Sequence, residues 1–221
     1  MTTMTRQLDT WTSTFGQAYT DRNSQSLDDM DQAFAEQFGV PKSVIYREVV
    51  GPTRLPAGKV LEVGCNIGLQ LRMLERVNPG LELHGLEPQE YAVARARELA
   101  PNMHFHQGTA FALPFADSAF DLVMTHGVLI HIHPDDLPRA MAEICRVSRR
   151  FVLAHEYFAP VTTEIPYHGK TGLLWKMDFA RRYEEVCPAL QRVEVRYYPY
   201  SAATGGPDLS DQVVLFEKGR V

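Results

Sequence analysis

The chain has 221 residues, 45% hydrophobic and 22% charged, a balance in the ordinary globular range that excludes a disordered or fibrous polypeptide and supplies enough core for one domain without disulfides or metal. Its formal net charge of −5 argues against a broad basic surface that neutralises phosphates, so nucleic acid is not the expected partner. Cys65, Cys145 and Cys187 show no C-x-x-C spacing, residues 1 to 15 hold one basic side chain and no apolar core, and no run approaches the roughly 18 apolar residues of a membrane helix. The expectation is a reduced, cytoplasmic protein with no membrane partner.

Residues 1–50 read as an N-terminal helical cap of three weakly amphipathic segments, at 7–19, 27–38 and 41–50, the last opened by Pro41 at a position that tolerates proline. From Lys59 the pattern changes. Val60, Leu61 and Val63 make a short apolar run ending at Gly64, as a buried parallel strand does, and a helix follows from Leu69 to Val77. Asn78-Pro79-Gly80 stops that helix; 81–87 is a second strand, 88–100 a second helix, 103–107 a third strand and 120–125 a fourth. Pro134 opens a helix with Asp135 and Asp136 in its first turn and Arg146 at its end, as the helix dipole prefers, and Leu137, Met141, Ile144 and Val147 share one face. Residues 151–154 are a fifth strand, 160–176 a loop-rich insertion inside a substrate-side segment of about 156–178, 178–187 a helix, and 193–197 and 213–217 the last two strands. The alternation predicts an α/β fold, a doubly wound sheet with a hairpin-like edge, in one domain over 51–221 to which the cap belongs.

The segment Val60-Leu61-Glu62-Val63-Gly64-Cys65-Asn66-Ile67-Gly68 runs a strand into a glycine-bearing turn and then a helix. A nicotinamide-type fingerprint needs glycines at 64, 66 and 69, where this chain has glycine, asparagine and leucine. The spacing acid-x-Gly-x-Gly-x-Gly is met by Glu62, Gly64 and Gly68 with Asn66 as the one departure, a pattern of S-adenosylmethionine sites. That cofactor has no pyrophosphate to press on the turn, and asparagine tolerates left-handed backbone angles. Glu87 ends the second strand 23 residues after Gly64, near the roughly 20-residue offset at which an acid grips ribose hydroxyls.

In these residues the chain resembles class I S-adenosylmethionine-dependent methyltransferases, and within them the clade of pseudaminic-acid-biosynthesis-associated methylases. Further marks of the resemblance are the stretches at 15–23 (FGQAYTDRN), 107–110 (QGTA), 127–132 (GVLIHI), 156–157 (EY), 164–169 (EIPYHG) and 174–176 (LWK). The resemblance implies a seven-stranded Rossmann-like methyltransferase sheet with the cofactor across the C-terminal ends of the first strands. Gly64 and Gly68 would lie under its amino-acid part, Glu87 would hold the ribose, Thr109 and Ala110 would flank the adenine, and His126 and Gly127 would stand near the methyl group. Trp11, Phe15 and Tyr19 would form a lid, with Arg22 pairing the methionyl carboxylate; the plain alternative makes them a helix's core face and a surface arginine.

Methyl transfer from a sulfonium is an in-line displacement that needs alignment and the management of one proton, so no metal is required. His126, His131 and His133 surround the end of the fourth strand and His155 ends the fifth, at the edge where such sheets bind ligands; titration near neutrality suits them, while the bland reading makes them capping or buried, bonded residues. His131-x-His133 lacks further ligands to complete a zinc tetrahedron. In the insertion, Glu156, Glu164 and Asp178 alternate with Tyr157, Tyr167 and Trp175, and acids with aromatics suit a cationic acceptor, with a guanidine or amine nitrogen methylated and Glu156 and His155 handling its proton. The expected function is methylation of a small biosynthetic molecule. The alternatives are a nucleotide-sugar methyltransferase, a nucleic-acid or protein methyltransferase, which lacks an N-P-P-Y-type motif here, and a cofactor-binding module without turnover.

Overall fold

The computed structural model describes residues 5–23, 26–205 and 209–219. Five strands, β1 (Gly58–Val63), β2 (Leu81–Glu87), β3 (His104–Gln107), β4 (Phe120–His126) and β5 (Ser148–Phe158), run parallel. The short strands β6 (Thr163–Glu164) and β7 (Trp175–Lys176) pair apart from them as a two-stranded ladder. The last two, β8 (Leu190–Pro199) and β9 (Ser210–Lys218), complete the main sheet antiparallel, in the order β3-β2-β1-β4-β5-β9-β8. The order reverses between β1 and β4, and ligands of such sheets sit at the carboxyl ends of the strands beside that point.

Alternation of side chains divides the core between the two faces. Val60, Leu83, Leu122 and Leu153 face one layer, built by α4 (Lys42–Val50), α5 (Leu69–Val77) and α6 (Glu90–Leu99), whereas Leu61, Val123, Val152 and Phe216 face α7 (Leu137–Val147) and α8 (Phe179–Val186). Helix α7 starts at Leu137, with Pro134–Asp136 as the turn before it. No helix among the described residues is long and apolar enough to cross a membrane.

Two expectations are corrected. The helix expected over 7–19 is two, α1 (Arg6–Thr12) and α2 (Thr14–Arg22), broken at an extended Ser13. Thr10, Thr12 and Ser13 bond their hydroxyls to backbone carbonyls three or four residues back, the competition that weakens a helix. At Gly16 a side chain would collide with the Trp11 carbonyl, so the glycine lets the two helices fold on each other. Second, β5 is eleven residues long and carries His155, Glu156 and Tyr157 within the sheet, so the insertion begins after Phe158. Only 151–154 is uniformly apolar, which is why the sequence pattern shows no more of this strand.

Helix α3 (Leu27–Phe38) opens with a capping box between Ser26 and Asp29 and closes on Gly39 at φ 74°. Asp31 then caps α4 from outside, accepting from the Ser43 N–H at 2.7 Å and hydroxyl at 2.6 Å. This seats Lys42 inside the protein, fully buried, where its Nζ donates to His155 Nδ1 at 2.7 Å and lies 4.4 Å from the centre of the Tyr46 ring. With Nδ1 accepting, His155 donates from Nε2 to Asp211 at 3.0 Å, and Asp211 also accepts from the Tyr200 hydroxyl at 2.8 Å. Burial pushes Lys42 well below the usual lysine range, against the pull of Asp211, Glu62 and Glu156. The chain of bonds ties α4 to β5 and β9. Lys42→Met leaves the buried acceptor Nδ1 of His155 without its donor and is expected to lower stability by about 1–3 kcal/mol, read as a drop in urea midpoint at unchanged slope; an unaltered midpoint would show the network to be dispensable.

Candidate active site

After β1 the chain turns through three residues at positive φ: Gly64 at 76°, Asn66 at 47° and Gly68 at 75°. A Cβ at Gly64 would stand 2.5 Å from a Val128 methyl, and one at Gly68 would meet the Phe105 ring at 2.8 Å, so both places need glycine for space as well as for angle. Asn66 carries its left-handed angle because its side chain is short and polar. Its N–H donates to Glu87 Oε2 at 3.0 Å, and the other carboxylate oxygen accepts from the Gln89 N–H at 3.1 Å. Burial raises Glu87 to about 7 although these two N–H groups favour its charged form.

The turn floors a cavity of about 280 Å³ at the carboxyl ends of β1, β2 and β4. Leu8, Trp11 and Tyr19 of α1 and α2 border it on one side, and Met30 and Phe34 of α3 on another. Four buried polar atoms among the described residues lack a protein partner here, namely Trp11 Nε1, Glu62 Oε2, Asn66 Oδ1 and Thr109 Oγ1, and all four residues line this cavity. Buried polar atoms cost free energy unless they are bonded, so the site is built for a ligand with both donors and acceptors. Gln89 fastens the roof, donating from Nε2 to the Trp11 carbonyl at 2.8 Å and accepting from the Thr20 hydroxyl at 3.2 Å.

The cavity brings together Tyr19, Glu62, Gly64, Asn66, Glu87, Thr109, Ala110, His126 and His131. Gly68 lies behind it as the N-cap of α5. Both cavity histidines are held neutral: burial, then Lys42 and His155, keep His126 well below the usual range, and burial lowers His131 to about 4 although it donates from Nδ1 to the Leu173 carbonyl at 2.7 Å. Glu62, at the end of β1, is raised far above the usual carboxylate range by burial.

Other expected site residues stand elsewhere. Arg22 is exposed on α2 and does not line the cavity, whereas its neighbour Asn23 does. His155 is committed to Lys42 and Asp211. Glu156, raised by burial to about 7, accepts from the N–H groups of Val128 and Ile130 and so props up the loop after β4. Asp178 is the N-cap of α8 and accepts from Gln212, Glu164 is exposed and accepts from the Gly172 N–H, and Trp175 is core. Tyr157 lies under the Lys176 ammonium, 5.4 Å from its ring centre. The three acids therefore line no common pocket. Tyr167 packs instead against His131 and Trp11, with ring centres 5.0 and 6.2 Å away. His131 and His133 diverge, the first toward Leu173 and the second onto the Trp175 ring, so they form no metal pair.

No motif marks Gln89, Met30 or Phe34. The last two had a signal, since Met30, Phe34 and Phe38 recur at the four-residue spacing of one helix face; Gln89 had none.

Residues 60–150 match the family described as "Methyltransferase domain". The stretch from β1 to the start of β5 is thus similar to methyltransferase domains. It is 31% identical over 102 residues to an uncharacterized methyltransferase of Schizosaccharomyces pombe, a match covering 41% of this chain and 36% of that one. It is 30% identical over 138 residues to a phthiotriol/phenolphthiotriol dimycocerosates methyltransferase of Mycobacterium leprae, covering 62% and 48%. These matches thus span less than half of the relatives' own lengths. In fold it is similar to a Burkholderia thailandensis 1,6-didemethyltoxoflavin-N1-methyltransferase solved with S-adenosylhomocysteine, with a TM-score of 0.64 at 17% identity over 94% of this chain and 91% of the other.

The donor set fits S-adenosylmethionine. Glu87 offers acceptors for a ribose diol, Glu62 and Asn66 offer acceptors for an ammonium, Trp11 offers a donor, and Thr109 supplies a hydroxyl beside Ala110. Neutral histidines suit a neighbouring sulfonium, which a cationic imidazole would repel. Because Glu87 must shed its proton to accept from both ribose hydroxyls, S-adenosylhomocysteine is expected to bind about tenfold more tightly at pH 8 than at pH 6. Calorimetry on Glu87→Gln should find weak binding without this slope, and an identical slope in that variant would assign the titration to another group.

Proposed function

We propose that the protein transfers the methyl group of S-adenosylmethionine to a small molecule with a largely apolar or aromatic body. The observation that carries this reading is the single cavity in which the unpartnered polar atoms of Trp11, Glu62, Asn66 and Thr109 meet an apolar wall of Met30, Phe34, Phe111 and Ile132. The bound cofactor supplies an electrophilic methyl carbon on a cationic sulfur. The chain's part is to hold an acceptor in line with it, exclude water and accept one proton from the attacking atom. His126, neutral at the end of β4, is the candidate for that proton, with His131 as the second.

Names of similar proteins are compatible with this: the Mycobacterium leprae protein is named for phthiotriol and phenolphthiotriol dimycocerosates and the Burkholderia thailandensis one for 1,6-didemethyltoxoflavin. The missing carboxylate cluster weighs against a guanidinium. A nucleotide-sugar acceptor stands as a second reading, because three stretches that carry the resemblance to pseudaminic-acid-associated methylases meet in space. Phe15 touches Tyr167, and Tyr167 touches His131, at ring-centre distances of 6.4 and 5.0 Å.

The test is transfer of labelled methyl from S-adenosylmethionine to a panel of phenolic, heteroaromatic, amine, guanidine and nucleotide-sugar acceptors. Apolar or heteroaromatic acceptors are expected to be labelled, with His126→Phe lowering kcat by about 10²-fold or more while S-adenosylhomocysteine affinity stays within about threefold. Glu164→Gln and Asp178→Asn are expected to keep full turnover. Labelling confined to nucleotide sugars would favour the second reading, and failure of the intact protein to bind S-adenosylhomocysteine would overturn both.

A further inference from the structure

A second group of chemistry-bearing side chains sits at the sheet edge, outside the cavity. Glu82 and His84 of β2 and His104 and His106 of β3 project on the α7 side of the sheet, and the parallel register sets His84 opposite His104. Residues 108–119, which join β3 to β4, contain no helix, and aromatic rings border this corner. Phe120 meets His84 edge-on at 5.2 Å and Phe115 meets His106 edge-on at 5.0 Å.

Ligand atoms of Glu82, His84 and His104 all lie within 4.8 Å of one another. His84 Nε2 is 2.9 Å from Glu82 Oε1, its Nδ1 is 3.3 Å from His106 Nε2, and its ring stacks on that of His104 at 4.6 Å. The two nitrogens of His84 therefore have separate partners. If Nδ1–H donates to His106, the lone pair of Nε2 is left on the side where Glu82 and His104 stand. A metal-bound histidine typically has this arrangement, its far N–H held by a neighbour that fixes the tautomer.

We propose that Glu82, His84 and His104 bind a divalent transition metal, zinc foremost, with His106 holding His84 in its ligand form and solvent completing the shell. Two imidazoles and one carboxylate are a zinc donor set, and bonds of about 2.0–2.2 Å place tetrahedral donors roughly 3.3 Å apart. Closing from 4.8 Å asks only for rotation of Glu82 and His104, both exposed. Lys59 pairs with Glu82 at 3.1 Å with both side chains about half exposed; such a pair is worth little and yields to a metal. The ion would staple the four-residue edge strand β3, which has a single neighbour in the sheet, to β2. The role would be structural and separate from methyl transfer.

The test uses the untagged full chain, stripped with a chelator and titrated with Zn²⁺ by calorimetry and with Co²⁺ by visible absorption. One equivalent of Zn²⁺ is expected to bind and raise the melting temperature, and the Co²⁺ spectrum should lack a thiolate band, since the three cysteines are elsewhere. His84→Ala and His104→Ala should each weaken Zn²⁺ by at least about 100-fold, and His106→Phe by about 10- to 100-fold, with S-adenosylhomocysteine affinity unchanged in all three. His104 is exposed at the sheet edge, so its variant keeps the fold and circular dichroism verifies this. Absence of stoichiometric Zn²⁺ binding by the intact protein, or undiminished binding by His104→Ala, would overturn the proposal.

Discussion

One buried carboxylate organises the site. Glu87 accepts the Asn66 N–H with one oxygen and the Gln89 N–H with the other, so it fixes the turn after β1 and the start of α6 together. Gln89, placed by that bond, grips the Trp11 carbonyl and the Thr20 hydroxyl, and Thr20 in turn accepts from the Asn66 side chain at 3.2 Å. Floor, wall and roof of the cavity are thus linked through a short cycle of hydrogen bonds. A change at Glu87 therefore disturbs floor and roof together.

The charge pattern around the cavity follows from burial. Desolvation pushes Glu62 and Glu87 up and His126 and His131 down, so the site disfavours its own charges until a ligand supplies compensating ones. A cation brought in by the cofactor would favour the ionised carboxylates and the neutral imidazoles. The Lys42, His155 and Asp211 chain contributes from behind, because Lys42 and His155 add to burial in disfavouring charge on the His126 ring.

The sheet was legible in the sequence because its parallel strands are short apolar runs punctuated by glycine and proline, and the turn after β1 because Gly64 and Gly68 stand where the backbone takes left-handed angles. What escaped were contacts between distant segments. Lys42 follows Pro41 at a helix start with nothing in the local sequence to mark burial, and its bond to His155 of β5 accompanies its full burial. Glu156 and Asp178 read as ligand acids in a loop, yet one lies in a strand and bonds a neighbouring loop and the other caps a helix, roles that local spacing cannot separate from binding. The break at Ser13 was visible in principle, in four hydroxyl residues among positions 10–14.

Helix α1 has no buried residue. Besides the ring contacts of Trp11 with His131 and Tyr167, it is held by three polar bonds: Gln7 to the Gly172 carbonyl at 3.0 Å, Arg6 to the Thr171 carbonyl at 3.4 Å, and the Gln89 bond to Trp11. Segments held this way open at the low end of the free-energy scale, well before the sheet unfolds. A molecule that fills the cavity and engages Trp11 adds its own grip to those three bonds. Protease susceptibility of the first turns of the chain is consequently a gauge of cavity occupancy, one that needs neither a known acceptor nor a turnover assay.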